Sequence, residues 1–502
     1  MKVSSNIVSD LLLLRQRQQV KNVLQIWNRQ SFNTSSRCTQ LIPNNAFIRY
    51  NNRPCTTNFQ LEWPITKINS CQAHHTPRTN PPFLSRYLAT ATTTDKSMAK
   101  DGAMADEYGE MTADGETYVE PNFGLESGVI LPQAQLRYQT YGTLNAEKTN
   151  VLVICHALTG NASLHSWWGG LLGPGKAFDT SKYWVVCCNI LGSAYGSTSP
   201  QSIDPNTQRP YGKHFPDISV QDTVRLQLNL LQNHLGIQSI QAVIGGSFGG
   251  MQAMEFAVQA GSSQGQYFSS DGSPLVKSVI PIACGAAHTA WQIAISEVQR
   301  QAVFADPNWN TDNPENATDG LSVARQIGMV SYRTAQAYQD KFGRRLQKAT
   351  GEESKSQLPH KLPYGSNAVF AAQSYLHYQG HKFLSRFDPV TYVKLTEQMD
   401  SHDISRGRWR QQENNDTTKI GMTLEEVLNT IEIPARVMGI DSDVLYPLAE
   451  QEFLAQHMAQ GELKVIHSLE GHDGFLLEQD QVGRNIQEFL DLYYQQQYKN
   501  NR

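Results

Sequence analysis

One serine in this chain stands where a nucleophile would be placed. Gly245, Ser247 and Gly249 fit G-x-S-x-G, the spacing of a sharp strand-to-helix turn that exposes the central hydroxyl because its neighbours carry no side chains. An apolar run at 242–244 precedes it, and a stretch rich in helix formers at 251–258 follows. Such a turn aims the unpaired N–H groups and positive dipole end of the helix at whatever the serine attacks, which suits a developing oxyanion. A Gly-rich turn that merely packs a helix closely on a strand has the same spacing. The chemistry therefore needs a base as well.

A serine hydroxyl attacks a carbonyl usefully only when a neighbouring group takes its proton. Where such a serine tops a parallel sheet, the partners follow along the chain as an acid and then a histidine. Asp441 and Asp443 follow the strand pattern at 434–440, and His472 follows the one at 463–469. Spacing does not choose between the two aspartates, because aspartate in a strand-exit turn is also a common turn former. Other histidines have ordinary positions: His234 on a helix, His467 within a strand, His156 at a strand tip.

The elements that must hold these residues read as alternating strands and helices. Near-continuous apolar runs at 151–155 and 183–188 predict strands covered on both faces, each ending in a polar loop, and 276–283 is another buried-strand candidate. Residues 125–141 suit one or two antiparallel strands, with turn signals at Gly128 and Gly142. The spacing of Val224, Leu228, Leu231 and Leu235 predicts a helix over 219–236, with Ser219 and Asp222 as a capping box and Gly236 as a stop. From 284 to 430 the periodicity turns helical, at 296–304, 322–342 and 368–387, which predicts an all-helical lid inserted in the sheet domain. An amphipathic helix through Val482, Ile486, Phe489, Leu490 and Tyr493 closes the chain.

The bulk numbers bound the rest. A chain of 502 residues with net charge −4 favours neither nucleic acid nor a membrane surface. No apolar run approaches the ~18 residues of a spanning helix. The seven cysteines lack C-x-x-C pairs, which argues against a disulfide framework or a zinc ribbon and for a reducing compartment. Residues 1–94 hold eleven basic residues against two acids, Asp10 and Glu62, and are rich in Ser, Thr and Asn. That is the composition of a mitochondrial transit peptide, and Arg86-Tyr-Leu-Ala-Thr-Ala resembles a processing site. The alternative is a disordered extension on a cytoplasmic enzyme. Residues 95–118 read as a linker, so the expected parts are 119–283 and 431–502 for the sheet domain and 284–430 for the lid.

Seven motifs together carry a resemblance. They are Cys-His-Ala-Leu-Thr-Gly (155–160), Gly-Gly-Ser-Phe-Gly-Gly-Met (245–251), Glu-Val-Gln-Arg-Gln (297–301), Ala-Gln-Ser-Tyr-Leu (372–376), Ser-Arg-Phe-Asp (385–388), Ser-Asp-Val-Leu-Tyr-Pro (442–447) and Gly-His-Asp-Gly-Phe-Leu (471–476). From about residue 123 to 490 the chain resembles the homoserine O-acetyltransferases, especially the fungal type, within the α/β-hydrolase fold. The resemblance implies Ser247 as nucleophile, Asp443 as acid and His472 as base, with backbone N–H groups of Leu158 and Phe248 as oxyanion donors. It implies Arg325 as ligand for the amino acid carboxylate and Asp473 for the ammonium. It further implies acetyl-CoA and L-homoserine as substrates, no bound cofactor or metal, and a homodimer through the lid helices. The family more often has Met where Phe248 stands, which changes the pocket wall but not a backbone donor. Related enzymes acylate serine, or use succinyl-CoA, and an esterase or thioesterase would use the same three residues. A non-catalytic scaffold is the remaining alternative.

Overall fold

The computed structural model describes residues 115–348, 368–410 and 420–500. The expected leader at 1–94, and the expected linker up to residue 114, lie outside the described residues. The last residues assigned to the linker belong instead to strand β1, Glu116–Gly124, where buried Tyr118 pairs with Leu136. β1 runs antiparallel to β2, Ile130–Tyr141. The stretch at 125–129 is the turn between them rather than a strand. Gly128 takes a positive φ there, and Leu125 N donates to Val129 O at 2.8 Å.

Six further strands complete one sheet: β3 Val151–Cys155, β4 Trp184–Cys188, β5 Ile240–Gly246, β6 Val279–Ile282, β7 Ala435–Ile440 and β8 Gly461–Ile466. Its order is β1-β2-β4-β3-β5-β6-β7-β8. Strands β3 to β8 are mutually parallel and β2 runs against them. All carboxyl ends of the parallel strands therefore open at one edge, and the loops that leave them share that edge.

Alternation along the strands builds two apolar cores, one on each face. Val151, Val153, Trp184, Val186 and Val243 face one, and Leu152, Ile154, Val185, Ala242 and Ile244 face the other. This double burial is why the runs read as continuously apolar. Helix α1, Val220–Leu228, carries the expected capping box: Ser219 Oγ accepts from Asp222 N, and Asp222 Oδ2 from Ser219 N, both at 3.1 Å. The expected helix over 219–236 does not stay α to its end, because Asn229–His234 widen into a π-helix. Helix α2, Phe248–Ala260, begins directly after Ser247 and is buried at every position.

Between β6 and β7 lie α3 Ala290–Phe304, α4 Thr318–Ser331, α5 Ala335–Phe342, α6 Ala371–Phe383 and α7 Pro389–Asp400. The single helical pattern at 322–342 is two helices, since Thr334 caps a new one by accepting from Ala337 N at 3.0 Å. The insertion is not all-helical. Leu346–Lys348 pairs with Ala368–Phe370, and Trp409–Arg410 with Ile420–Gly421. Pairs of two or three residues are too short to leave a period in the sequence. After β7 come α8 Leu448–His457 and, after β8, α9 Gln479–Asn500, whose Val482, Ile486, Phe489 and Leu490 fill the second core.

Candidate active site

The turn from β5 to α2 holds Ser247 at φ +57 and ψ −122, outside the regions open to ordinary residues. Its N–H donates to Ile282 O at 2.9 Å, and its carbonyl accepts from Met251 N at 3.1 Å. Two glycines make the turn possible by close approach. A Cβ on Gly245 would overlap the carbonyl of Gly249, and one on Gly249 would overlap the carbonyl of Cys155. Ser247 retains 7% exposure, at the edge where β3 and β5 end side by side.

The two aspartates part company in the structure. Asp443 Oδ2 lies 2.7 Å from His472 Nδ1, with both side chains buried. Its Oδ1 accepts from the N–H groups of Leu445 and Tyr446 at 2.8 and 2.9 Å. Asp441 instead faces the exposed His467, at 2.9 Å, and accepts from Ser468 N. His467 sits just past the end of β8 and not within the strand, because that strand stops at Ile466.

With a carboxylate at Nδ1, that nitrogen carries the ring proton and Nε2 presents a lone pair. Nε2 is buried and has no hydrogen-bond partner among the described residues, Ser247 included. Burial pulls the His472 pKa down, but the Asp443 carboxylate outweighs it, helped by Asp473 and Glu450, and the result lies above the ordinary histidine value. The ring is clamped by aromatics: Tyr446 stacks on it at 4.9 Å, and Phe475 meets it edge-on at 5.5 Å. Phe475 also presses against Gly246, so one aromatic ring touches both the serine turn and the histidine.

Leu158 lies in the loop leaving β3 and Phe248 is the first residue of α2. Neither N–H donates a hydrogen bond among the described residues. The direction of the Leu158 N–H is fixed by its own peptide unit. The Ala157 carbonyl accepts from Gly160 N at 2.9 Å and lies 2.8 Å from His156 Nδ1, so the trans N–H points the opposite way. Because His156 Nε2 accepts from Ile190 N at 3.1 Å, its Nδ1 is the protonated nitrogen. Burial pushes the His156 pKa down to about 4, which keeps the ring neutral. Sequence reasoning gave His156 no more than a strand-tip position; its role depends on Ile190, 34 residues away.

Arg325 is buried on α4 with its guanidinium 5.1 Å from the Phe383 ring centre. It interacts electrostatically with Tyr392, which bonds to Tyr332, whose ring lies 6.1 Å from His472. Asp473 is held by a residue the sequence reading did not single out: Arg333 Nε donates to its Oδ2 at 2.5 Å. Arg333 also pairs with Glu470. A lone arginine after a helix carries no spacing signal that would have found it. Among the described residues no His, Cys, Asp and Glu group could hold a metal, and no helix is long and apolar enough to cross a membrane.

A parallel sheet whose carboxyl edge carries a strained serine, two converging loops and a buried Asp–His pair is the architecture of the α/β hydrolases, and residues 150–479 match the family described as the alpha/beta hydrolase fold. The homoserine O-acetyltransferase of Bacillus anthracis superposes with a TM-score of 0.62 at 23% identity, over 75% of this chain and 97% of that one. Within the fold, the sequence is more specific. It is 44% identical to the homoserine O-acetyltransferase of Salinibacter ruber over 73% of this chain and 94% of that protein. It is 37% identical to that of Saccharomyces cerevisiae over 74% and 85%. The chain belongs to the homoserine O-acetyltransferase family.

Proposed function

We propose that the protein transfers an acetyl group from acetyl-CoA to the hydroxyl of L-homoserine through an acetyl-Ser247 intermediate. The observation that carries this reading is the buried Asp443–His472 pair, which leaves Nε2 as an acceptor in a chain of this family. Asp443 holds the tautomer, so His472 Nε2 takes the Ser247 proton as Oγ attacks the thioester carbon. The resulting oxyanion is stabilised by the Leu158 and Phe248 amides, which bind no other group that would have to be displaced. His472 returns the proton to the departing CoA sulfur. The acceptor hydroxyl then gives its proton to the same nitrogen, attacks the acetyl carbon and frees Ser247. The reading requires a hydrogen bond between Oγ and Nε2 in the substrate complex.

A guanidinium matches a carboxylate fork, so Arg325 serves the amino acid carboxylate and Asp473 its ammonium. Water is the competing acceptor, and the inserted helices act as a lid that excludes it. The test mixes enzyme, acetyl-CoA and homoserine. CoA release should rise steeply with homoserine and yield O-acetylhomoserine; release that is indifferent to it points to a hydrolase, and preference for serine or succinyl-CoA reassigns the substrates.

The lid helices also support a homodimer. Trp291 and Val298 on α3, and Val323 and Val330 on α4, recur seven residues apart and are each about half exposed. The basic, acid-poor residues 1–94 support mitochondrial delivery over a cytoplasmic location, which a tagged full-length chain would decide.

A further inference from the structure

The acid, base and oxyanion loops are each held by a polar side chain from the segment inserted between β6 and β7. Gln292, in the first turn of α3, donates from Nε2 to Leu445 O at 2.9 Å and to Glu450 Oε1 at 2.8 Å. Leu445 is the residue whose own N–H binds Asp443, so this contact reaches the acid through one residue. Arg333, in the link from α4 to α5, grips Asp473 and Glu470 on either side of His472. The next residue, Thr334, donates to Leu469 O at 2.5 Å. Gly471 lies against the backbone of Tyr332 and Arg333, where a Cβ would stand 2.8 Å from Tyr332 O, at φ +65. Arg386, in the link from α6 to α7, donates from Nη1 to Thr159 O at 2.8 Å and to Tyr195 Oη at 3.1 Å. Thr159 follows Leu158 directly, so this contact adjoins the oxyanion donor.

A cover that only kept water out could be apolar along this boundary. Burying amide and guanidinium groups gains little stability over apolar packing, because desolvation offsets the new bonds. What polar contacts add is direction and distance. The loops they hold leave strand ends and have no ladder of their own. We propose that Gln292, Arg333 and Arg386 are positioning residues, one each for the acid, base and oxyanion loops, so that the inserted helices set the geometry of the reacting groups. The inference rests on the acetyl-transfer reading above. It makes acylation of Ser247, and not just access to it, depend on the insertion. Misplacement of a reacting group by about 1 Å costs on the order of 100-fold in rate.

The experiment follows the burst of CoA on mixing full-length enzyme with acetyl-CoA and no acceptor, together with KM for acetyl-CoA and the thermal midpoint. Arg386→Ala and Gln292→Glu are expected to slow the burst by about 10- to 100-fold with KM within about twofold of wild type. Gln292→Glu keeps the oxygen that accepts from Thr289 N and so keeps the cap of α3, and because it also sets a carboxylate against Glu450 its burst is compared at the pH plateau of each enzyme. Arg386→Lys, which retains one donor for Thr159 O, should recover part of the rate at an unchanged thermal midpoint. Arg333→Ala, which releases Asp473 and Glu470 together, should slow the burst as well. Variants that acylate at the wild-type rate, or an Arg386→Lys as slow as Arg386→Ala, overturn the positioning role. A wild-type enzyme that never forms the acetyl adduct overturns the reading beneath it, and this inference with it.

Discussion

At the scale of the residue, the chemistry turns on which aspartate meets His472 and in what charge state. Asp443→Asn keeps the shape but donates an N–H where an acceptor is needed, forcing the wrong ring tautomer; kcat should fall about 10³- to 10⁴-fold. Asp441→Asn should leave kcat within about twofold, since its partner is the exposed His467. The pH profile follows from the sign of the His472 shift. A base works deprotonated, and this one holds its proton more tightly than an ordinary histidine, so the acylation rate should rise with a midpoint above 6.5. Glu450 bears on the same midpoint. Burial pushes its own pKa up to about 7, and its charge favours protonated His472. Glu450→Gln should therefore move the midpoint of the rate profile downward; an unmoved profile would show that the two groups do not interact.

At the scale of the element, the serine turn is a packing problem solved by glycine. Gly249→Ala would drive a methyl into the Cys155 carbonyl, and neither β3 nor α2 can yield without disturbing a core built on both sides. A loss of about 1–3 kcal/mol is expected, read as a lower denaturation midpoint, together with lost acylation because β3 leads into the Leu158 loop. The inserted helices raise a different question. Their breaks, at 332–334 and 384–388, are where Arg333 and Arg386 leave the helical pattern and turn to the sheet edge. No interruption marks these positions in the sequence, where 322–342 and 368–387 each read as one helical stretch.

At the scale of the whole molecule, an eight-stranded sheet whose central strands β3 to β7 are buried on both faces supplies a rigid edge, and the insertion covers it. The outward apolar positions on α3 and α4 belong to this scale. Val298→Asp together with Val330→Asp should give a monomer by sedimentation while the wild type runs as a dimer. A monomeric wild type would remove the dimer from the proposal. Because α3 also carries Gln292, the monomeric variant should acylate more slowly than the dimer if packing of the helices is what keeps that anchor in place.

The chain alone determined the strand runs, the capped helix before Ser247, the G-x-S-x-G turn and the histidine downstream, because periodicity, capping and turn chemistry are local and are written in neighbouring residues. It also narrowed the acid to two aspartates two positions apart. Between those two the family resemblance pointed to Asp443, which the structure bonds to His472; tertiary structure alone decided that Asp473 is shared with Arg333 and that Arg386 reaches Thr159 across 227 residues of chain. Those contacts join segments brought together only when the sheet has closed and the insertion has folded back over its edge. A bond between distant residues leaves no period, and a single arginine has no pattern to betray its partner.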